Sequence, residues 1–296
     1  MQPLTWDETN REALLKEIGE RFDTQGYVII RQFFDQALIE QVKLVCSEKV
    51  DALADKLKAN GVVEDAMERE PFDKRLYRLF KDRMDLAPKS FDHTLHVAEL
   101  YELFFNRKLL DVMACFLGEE LRLYPNYTVR PKFPLWEGTH VLWHQDGGYT
   151  KRKSQHVDSG TEVDTFRMIN VWAPLVPATK QNGCMQFIPG SHKLGVVEHV
   201  DKEPYIEIVA SVLAPLLKDA VDIEVDPGDI VLFNNLMFHY GQPNTSDRIR
   251  WSVDWRYQDA TQPTNRWTRG HIARSRLEPF AVVQSATEWE KLCSWH

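Results

Sequence analysis

From Leu121 onward the chain is a succession of short apolar runs punctuated by Pro and Gly: Leu121–Arg130, Val141–Gln145, Arg167–Val176, Cys184–Pro189, Val221–Val225, Ile230–Phe233 and Ile249–Tyr257. Runs this short suit strands closed by turns, and so many in succession point to an antiparallel sandwich or closed barrel rather than a parallel α/β sheet. The first 120 residues follow a helical period instead. Thr9-Asn10-Arg11-Glu12 reads as a capping box before Leu14, Leu15, Ile18 and Phe22, and Asp23-Thr24-Gln25-Gly26 closes that helix. Tyr27–Ile30 then reads as a short buried strand. Asp35 is predicted to cap a second helix bearing Leu38, Ile39, Val42, Val45 and Leu53, and Ala98–Leu117 reads as one buried helix ended by Gly118. Residues 58–92 carry no pattern that places them. The expectation is a mainly β protein with N-terminal helices. It is read as a single domain over 1–296: a largely helical 1–120, a barrel core over 121–260 and a C-terminal extension over 261–296.

Composition narrows the function classes. Hydrophobic residues make up 43%, enough for a substantial core. Net charge is −8, with no block of like charge longer than Lys151-Arg152-Lys153, which argues against nucleic acid and for a small-molecule partner. The four cysteines form no Cys-x-x-Cys pair, so a reducing compartment is the simpler reading. No apolar run approaches the roughly 20 residues of a membrane span and no signal-peptide core is visible, so a cytoplasmic protein is expected.

The chemistry centres on Trp143-His144-Gln145-Asp146-Gly147-Gly148-Tyr149. If His144 and Asp146 lie i, i+2 on a strand before a Gly-Gly turn, both side chains face one ion. His239, after the strand Ile230–Phe233, is the best third ligand. Two imidazoles and a carboxylate leave coordination positions open, the arrangement of non-haem Fe(II) oxygenases, whereas structural zinc would close its shell with a fourth protein ligand. His140 reads as a neighbouring or core histidine, and His93 and His96, whose i, i+3 spacing would suit one helix face, as a solvated or hydrogen-bonded pair rather than a metal site. Arg250, eleven residues after His239, shares a strand face with Ser252, and a guanidinium fork with a hydroxyl suits a distal carboxylate.

In this order the motifs resemble the phytanoyl-CoA dioxygenase family of Fe(II)/2-oxoglutarate oxygenases. The likeness runs through Gly26-Tyr27-Val28-Ile29, His144-Gln145-Asp146, Trp172, Gln181-Asn182-Gly183-Cys184-Met185, Pro189-Gly190-Ser191-His192-Lys193, His239, Pro243-Asn244-Thr245-Ser246 and Arg250. It implies a double-stranded β-helix (jelly-roll) core and iron held by His144, Asp146 and His239. It also implies 2-oxoglutarate bound by Arg250 beside Trp172, O2 as co-substrate, and release of succinate and CO2. Asn126, expected on the strand before His144, falls where the family places another co-substrate contact. Pro189–Lys193 is expected to be a structural turn, with His192 no ligand. One departure stands out: Gly241 occupies a place where the family often carries Ser, and Ser252 is expected to supply that hydroxyl. Related halogenases lack the carboxylate, so Asp146 favours hydroxylation.

Substrate identity is thinly written. Thr150–Thr165 reads as a lid or a solvated loop, and an anionic substrate is favoured if Lys151–Lys153 faces the pocket. Arg256, Arg266, Trp267, Arg269, His271, Arg274 and Arg276 either frame the entrance or pair with the chain's excess acids. Competing classes are a non-catalytic metal or 2-oxoglutarate binder, an acyl-CoA hydroxylase of the same family, and a cupin isomerase or hydrolase. The last usually places a Glu and further histidines close after the first ligand, where this chain has Gly147-Gly148-Tyr149.

Overall fold

A computed structural model describes residues 2–92, 95–154, 163–203 and 205–292. The helices among them are α1 (Arg11–Gln25), α2 (Gln36–Ala59), α3 (Phe72–Phe80), α4 (Ala98–Phe104), α5 (Arg107–Leu117), α6 (Asp146–Ser154), α7 (Ala210–Leu213) and α8 (Ala286–Lys291). The strands begin with β1 (Leu4–Thr5), β2 (Tyr27–Arg31), β3 (Leu121–Leu123), β4 (Thr128–Lys132), β5 (Val141–His144), β6 (Met168–Pro174) and β7 (Met185–Phe187). They continue with β8 (His199–Lys202), β9 (Tyr205–Ile208), β10 (Val221–Ile223), β11 (Ile230–Asn234), β12 (His239–Gly241), β13 (Arg250–Asp259) and β14 (His271–Arg274). One sheet runs β1-β2-β11-β6-β13-β3-β14 with β4 also on β13, and a second runs β10-β7-β12-β5. Facing each other across Tyr27, Trp172, Met185, Phe187, Phe233 and Met237, they form the double-stranded β-helix.

Strand β13 joins the two layers of the core. Its ten residues are all buried. Because side chains alternate, Trp251, Val253, Trp255 and Tyr257 face the helices, sharing a core with Ile39, Val42, Leu103, Phe104 and Val112. Arg250, Ser252, Asp254 and Arg256 face the barrel interior, in register with Lys132 and Arg130 of β4 and with Trp172 and Asn170 of β6.

Several expectations are corrected. The Ala98–Leu117 helix is two helices; Asn106 sits between them, and its side chain accepts from the Leu109 amide at 3.3 Å. The capping box does not form: Asp7 accepts from Thr9 N at 2.9 Å and α1 starts at Arg11 without a side-chain cap. Asp35 holds the N-cap position of α2 but makes no capping bond. The Leu121–Arg130 run is two strands, β3 and β4, and Asn126 lies in the link between them rather than on a strand. The unassigned 58–92 stretch contains α3, whose Arg75 pairs with Asp51 on α2. No described helix is long and apolar enough to cross a membrane. Cys46, Cys115 and Cys184 are free thiols, and Cys293 lies outside the described residues.

Helix α1 is stitched to the barrel where it ends. Gly26 takes a left-handed conformation (φ 80°), and a Cβ there would run into His192 and the Met237 methyl, so only glycine fits. The Pro189–Lys193 turn lies against it, Gly190 N donating to Gln25 O at 2.8 Å, while Asn234 N donates to Gly26 O at 2.8 Å. The Ser191 hydroxyl accepts from Phe238 N at 2.9 Å. His192 has its Nε2 on the Asp23 carbonyl at 3.2 Å, a packing histidine as the sequence suggests.

Candidate active site

Strand β5 ends at His144, and Asp146 opens helix α6, so the His-x-Asp pair is not a same-face strand pair as the spacing suggested. What makes it converge is Gln145, which is fully buried. Its Nε2 donates to Gly195 O (2.7 Å) and Leu236 O (2.8 Å), and its Oε1 accepts from Val197 N (2.9 Å), which locks the bend. The following glycines let α6 come close: a Cβ on Gly147 would meet Leu236, and one on Gly148 would meet His199.

His239 opens β12 directly opposite His144, with ring centroids 3.9 Å apart. Each imidazole donates its Nδ1 hydrogen to a carbonyl, His144 to Leu142 (2.7 Å) and His239 to Met237 (2.9 Å). A carbonyl only accepts, so each ring, when neutral, carries its lone pair on Nε2. Those two Nε2 atoms lie 3.5 and 4.0 Å from Asp146 Oδ1. Burial and the neighbouring His144 hold His239 down at about 3, so it stays neutral and ready to ligate. Burial alone would raise the Asp146 carboxyl; the Arg256 guanidinium, aided by both histidines, outweighs it and holds Asp146 well below the usual carboxylate range. Arg256 grips Asp146 Oδ2 through Nε (3.1 Å) and Nη2 (2.7 Å), leaving Oδ1 for the histidine side. His144, Asp146 and His239 can therefore hold a metal ion, and no further His, Cys, Asp or Glu among the described residues joins them. The donor set suits ferrous iron with open positions and not a closed zinc shell.

All three open onto a cavity of about 310 Å³. Arg250 lines it and is buried with no carboxylate partner: Nη1 donates to Ser252 Oγ at 2.7 Å, Nε has no partner, and the guanidinium lies 5.1 Å from the Trp172 ring centroid. Burial brings Arg250 down to about 10, so it remains charged and can receive an anion.

The profile of the family described as phytanoyl-CoA dioxygenase (PhyH) matches residues 22–252. The chain belongs to the phytanoyl-CoA dioxygenase family. It is an Fe(II)/2-oxoglutarate-dependent dioxygenase, with iron, 2-oxoglutarate and O2 as its cofactors. Among relatives, it is 29% identical over 267 residues to a 1-deoxypentalenic acid 11-beta-hydroxylase of Streptomyces arenae, covering 85% of this chain and 82% of the relative. It is 38% identical over 125 residues to dioxygenase lolE1 of Epichloe uncinata, a match spanning 42% of this chain and 46% of that one. Among solved structures, the non-heme monooxygenase ThoJ superposes with a TM-score of 0.62 at 22% identity, over 93% of this chain and 91% of that one. EctD from S. alaskensis, solved with 2-oxoglutarate and 5-hydroxyectoine, superposes with a TM-score of 0.56 at 20% identity, over 82% and 76%. At these identities the superpositions speak for the fold.

Within this dioxygenase, His144, Asp146, His239, Arg250, Trp172 and Asn126 all line the one cavity. Ser252 does not; it is fully buried and braces Arg250 from behind. Gly241 lines the cavity where the family often has Ser, and a Cβ there would already sit 3.2 Å from Val141 and 3.4 Å from Lys132 Nζ. Within the basic stretch, Arg152 pairs with Asp201 (3.2 Å) and Glu203 (2.7 Å) of the β8–β9 hairpin, and the 155–162 part of the expected lid lies outside the described residues. Of the C-terminal arginines, Arg256 and Arg266 line the cavity, while Arg274 pairs with Asp111 at 2.6 Å and Arg276 with Glu119 at 3.6 Å. His140 precedes β5 and does not line the cavity. His96 lies before α4 and bonds Tyr127 Oη at 2.8 Å; His93 is outside the described residues.

Sequence reasoning missed the clamp role of Arg256, and it missed Arg130, Asp254 and Asn170 altogether. Arg130 Nε donates to Asp254 Oδ2 at 2.7 Å, and Asp254 Oδ1 lies 3.5 Å from Arg256, so a charge chain leads from the cavity wall to Asp146. Asn170 is buried with both amide atoms unpartnered in the cavity wall.

Proposed function

We propose that His144, Asp146 and His239 hold the iron and that Arg250, braced by Ser252 and flanked by Trp172 and Asn126, receives 2-oxoglutarate. On this reading the enzyme hydroxylates an unactivated C–H bond of a small molecule, releasing succinate and CO2. The observation that carries the reading is the convergence on one cavity of three ligating groups and a buried guanidinium without a carboxylate. A cavity of about 310 Å³ is at the small end for ligand pockets and suits a small metabolite. When bound, iron with 2-oxoglutarate and O2 supplies the oxidising power for the C–H bond.

The chain's own residues supply geometry and charge. The carbonyls of Leu142 and Met237 aim the two Nε2 lone pairs inward. Arg256 keeps Asp146 ionised and presents a single oxygen. Trp172 covers the Arg250 guanidinium and keeps water from competing for it. Retention of Asp146 supports hydroxylation over halogenation, as does the hydroxylase name of the Streptomyces arenae relative. The chain is read as acting as one unit over 1–296, because one core cluster runs from Leu4 to Trp289.

Anaerobic addition of Fe(II) and 2-oxoglutarate tests the residue assignment through their visible charge-transfer band. Wild type should give the band, His144→Ala and His239→Ala should each lose it, Asp146→Ala should abolish turnover, and Arg250→Gln should need far more 2-oxoglutarate. A band that survives both histidine substitutions, or turnover that survives Asp146→Ala, overturns the ligand set. Succinate release on a metabolite library, with a product heavier by one oxygen, tests hydroxylation itself.

A further inference from the structure

Four guanidiniums line the cavity, Arg130, Arg250, Arg256 and Arg266, against two carboxylates, Asp146 and Asp254. The protein wall thus carries two surplus positive charges. Ferrous iron and the 2-oxoglutarate dianion cancel each other, so the surplus survives loading. Three of the four cations are accounted for. Arg256 is committed to Asp146, Arg130 to Asp254, and Arg250, on the reading above, to 2-oxoglutarate.

Arg266 is different. Its Nε donates to Tyr124 Oη (3.1 Å), its Nη1 to the Pro125 carbonyl (3.2 Å), and the guanidinium stands 5.1 Å from the Tyr124 ring centroid. Tyr124 is itself fixed, its hydroxyl donating to Thr264 O at 2.8 Å, and the Arg266 amide bonds Thr264 Oγ1 at 3.3 Å. All these partners are neutral. They hold the guanidinium still without answering its charge, and Nη2 has no hydrogen bond among the described residues. A loop brace alone requires no cation, and keeping one partly buried in a wall already rich in arginine costs free energy. The same arrangement at Arg250, a fixed guanidinium without a carboxylate, marks an anion site. Arg266 shares the cavity with Asp146 and is linked to it: the next residue after Pro125 is Asn126, whose carbonyl accepts from Arg256 at 3.1 Å, and Arg256 holds Asp146.

We propose that the substrate of this enzyme is a small organic anion and that Arg266 receives its carboxylate or phosphate at the cavity wall. The proposal rests on the cavity being the substrate site. It does not draw on Arg152, which is engaged by acids of the β8–β9 hairpin.

The test uses enzyme loaded with Zn(II) in place of iron and saturated with 2-oxoglutarate, so that Arg250 is occupied. Hexanoate, hexyl phosphate and 1-hexanol are titrated in by ligand-observed NMR. One or both anions should bind at least about tenfold more tightly than the alcohol, the weight of a charge-assisted hydrogen bond, and the stronger of the two names the substrate's acid group. Arg266→Gln should remove that preference, Arg266→Lys should retain part of it, and neither should change 1-hexanol binding. The proposal is overturned if neither anion binds, if 1-hexanol binds as well as both, or if Arg266→Gln leaves the preference intact. The 2-oxoglutarate affinity measured in the same samples reports separately on the Arg250 reading: it should be unchanged in both Arg266 variants and lost in Arg250→Gln.

Discussion

The two faces of β13 are equally buried and chemically opposite. Toward the helices it presents Trp251, Val253, Trp255 and Tyr257, packed on one another's neighbours with Trp255 5.3 Å from Phe104 and 6.4 Å from Phe34 between ring centroids. Toward the barrel interior it presents Arg250, Ser252, Asp254 and Arg256, joined by the Arg250–Ser252, Arg130–Asp254 and Arg256–Asp146 contacts. The outer row gains free energy from area removed from water, which no single contact determines. The inner row costs free energy to bury and is tolerable only while its charges stay matched. Side-chain parity thus separates most of the stability from most of the chemistry on one strand, Trp255 being the outer-row residue that also reaches the cavity wall.

That contrast can be broken by experiment. The largest effect is expected from the outer face: Trp251→Ala, which removes the ring stacked on Phe72 and Phe91, should lower unfolding free energy by about 3–5 kcal/mol, read from urea midpoints, while the remaining folded enzyme keeps wild-type 2-oxoglutarate affinity. On the inner face, Arg256→Gln should weaken Co(II) or Fe(II) binding roughly 10–100-fold in anaerobic titrations, with a far smaller change in the urea midpoint. A metal affinity that does not move would mean Asp146 needs no clamp. Ser252→Ala should cost roughly 1 kcal/mol of 2-oxoglutarate binding, about fivefold in Kd, by releasing Arg250 Nη1. An unchanged Kd would show that Trp172 alone holds Arg250 in place.

The helical side should also show a pH dependence. His271, where β14 meets α8, is pushed down to about 4 by burial and by the charge of His96. Between that value and the ordinary 6.5, the unfolded chain binds a proton that the folded chain refuses. Stability should therefore fall as pH drops from 6.5 toward 4 and level off below. Urea melts at pH 7 and pH 5 should differ less in His271→Gln than in wild type.

What the sequence disclosed and what it hid divide along physical lines. His144, Asp146, His239, Arg250 and Trp172 were legible because short motifs and fixed spacing carry them. Arg256 was within reach: the alternation that put Arg250 and Ser252 on one face continues through 254 to 256, and a second arginine on the inner row needs an acid. Its partner could not be read, because Asp146 lies 110 positions away and meets it only when the sheets close. The break at Asn106 was hidden for another reason, since both helices bury apolar stripes and periodicity runs through the gap. The Gly-Gly after Asp146 read as a turn because glycine is a poor helix former, whereas here it opens α6 by letting backbone approach Leu236 and His199.

Gly26 has a reach well beyond the end of its helix. Its missing side chain is the space in which His192 and Met237 sit, and the Met237 carbonyl receives the Nδ1 hydrogen of His239. The catalytic barrel is consequently not a module that can be cut free at Leu121. A fragment lacking the first helix would lose the surface against which the Met237 segment is seated, and with it the aim of His239. Shortened or transplanted versions of this enzyme should therefore carry the N-terminal helix along with the barrel.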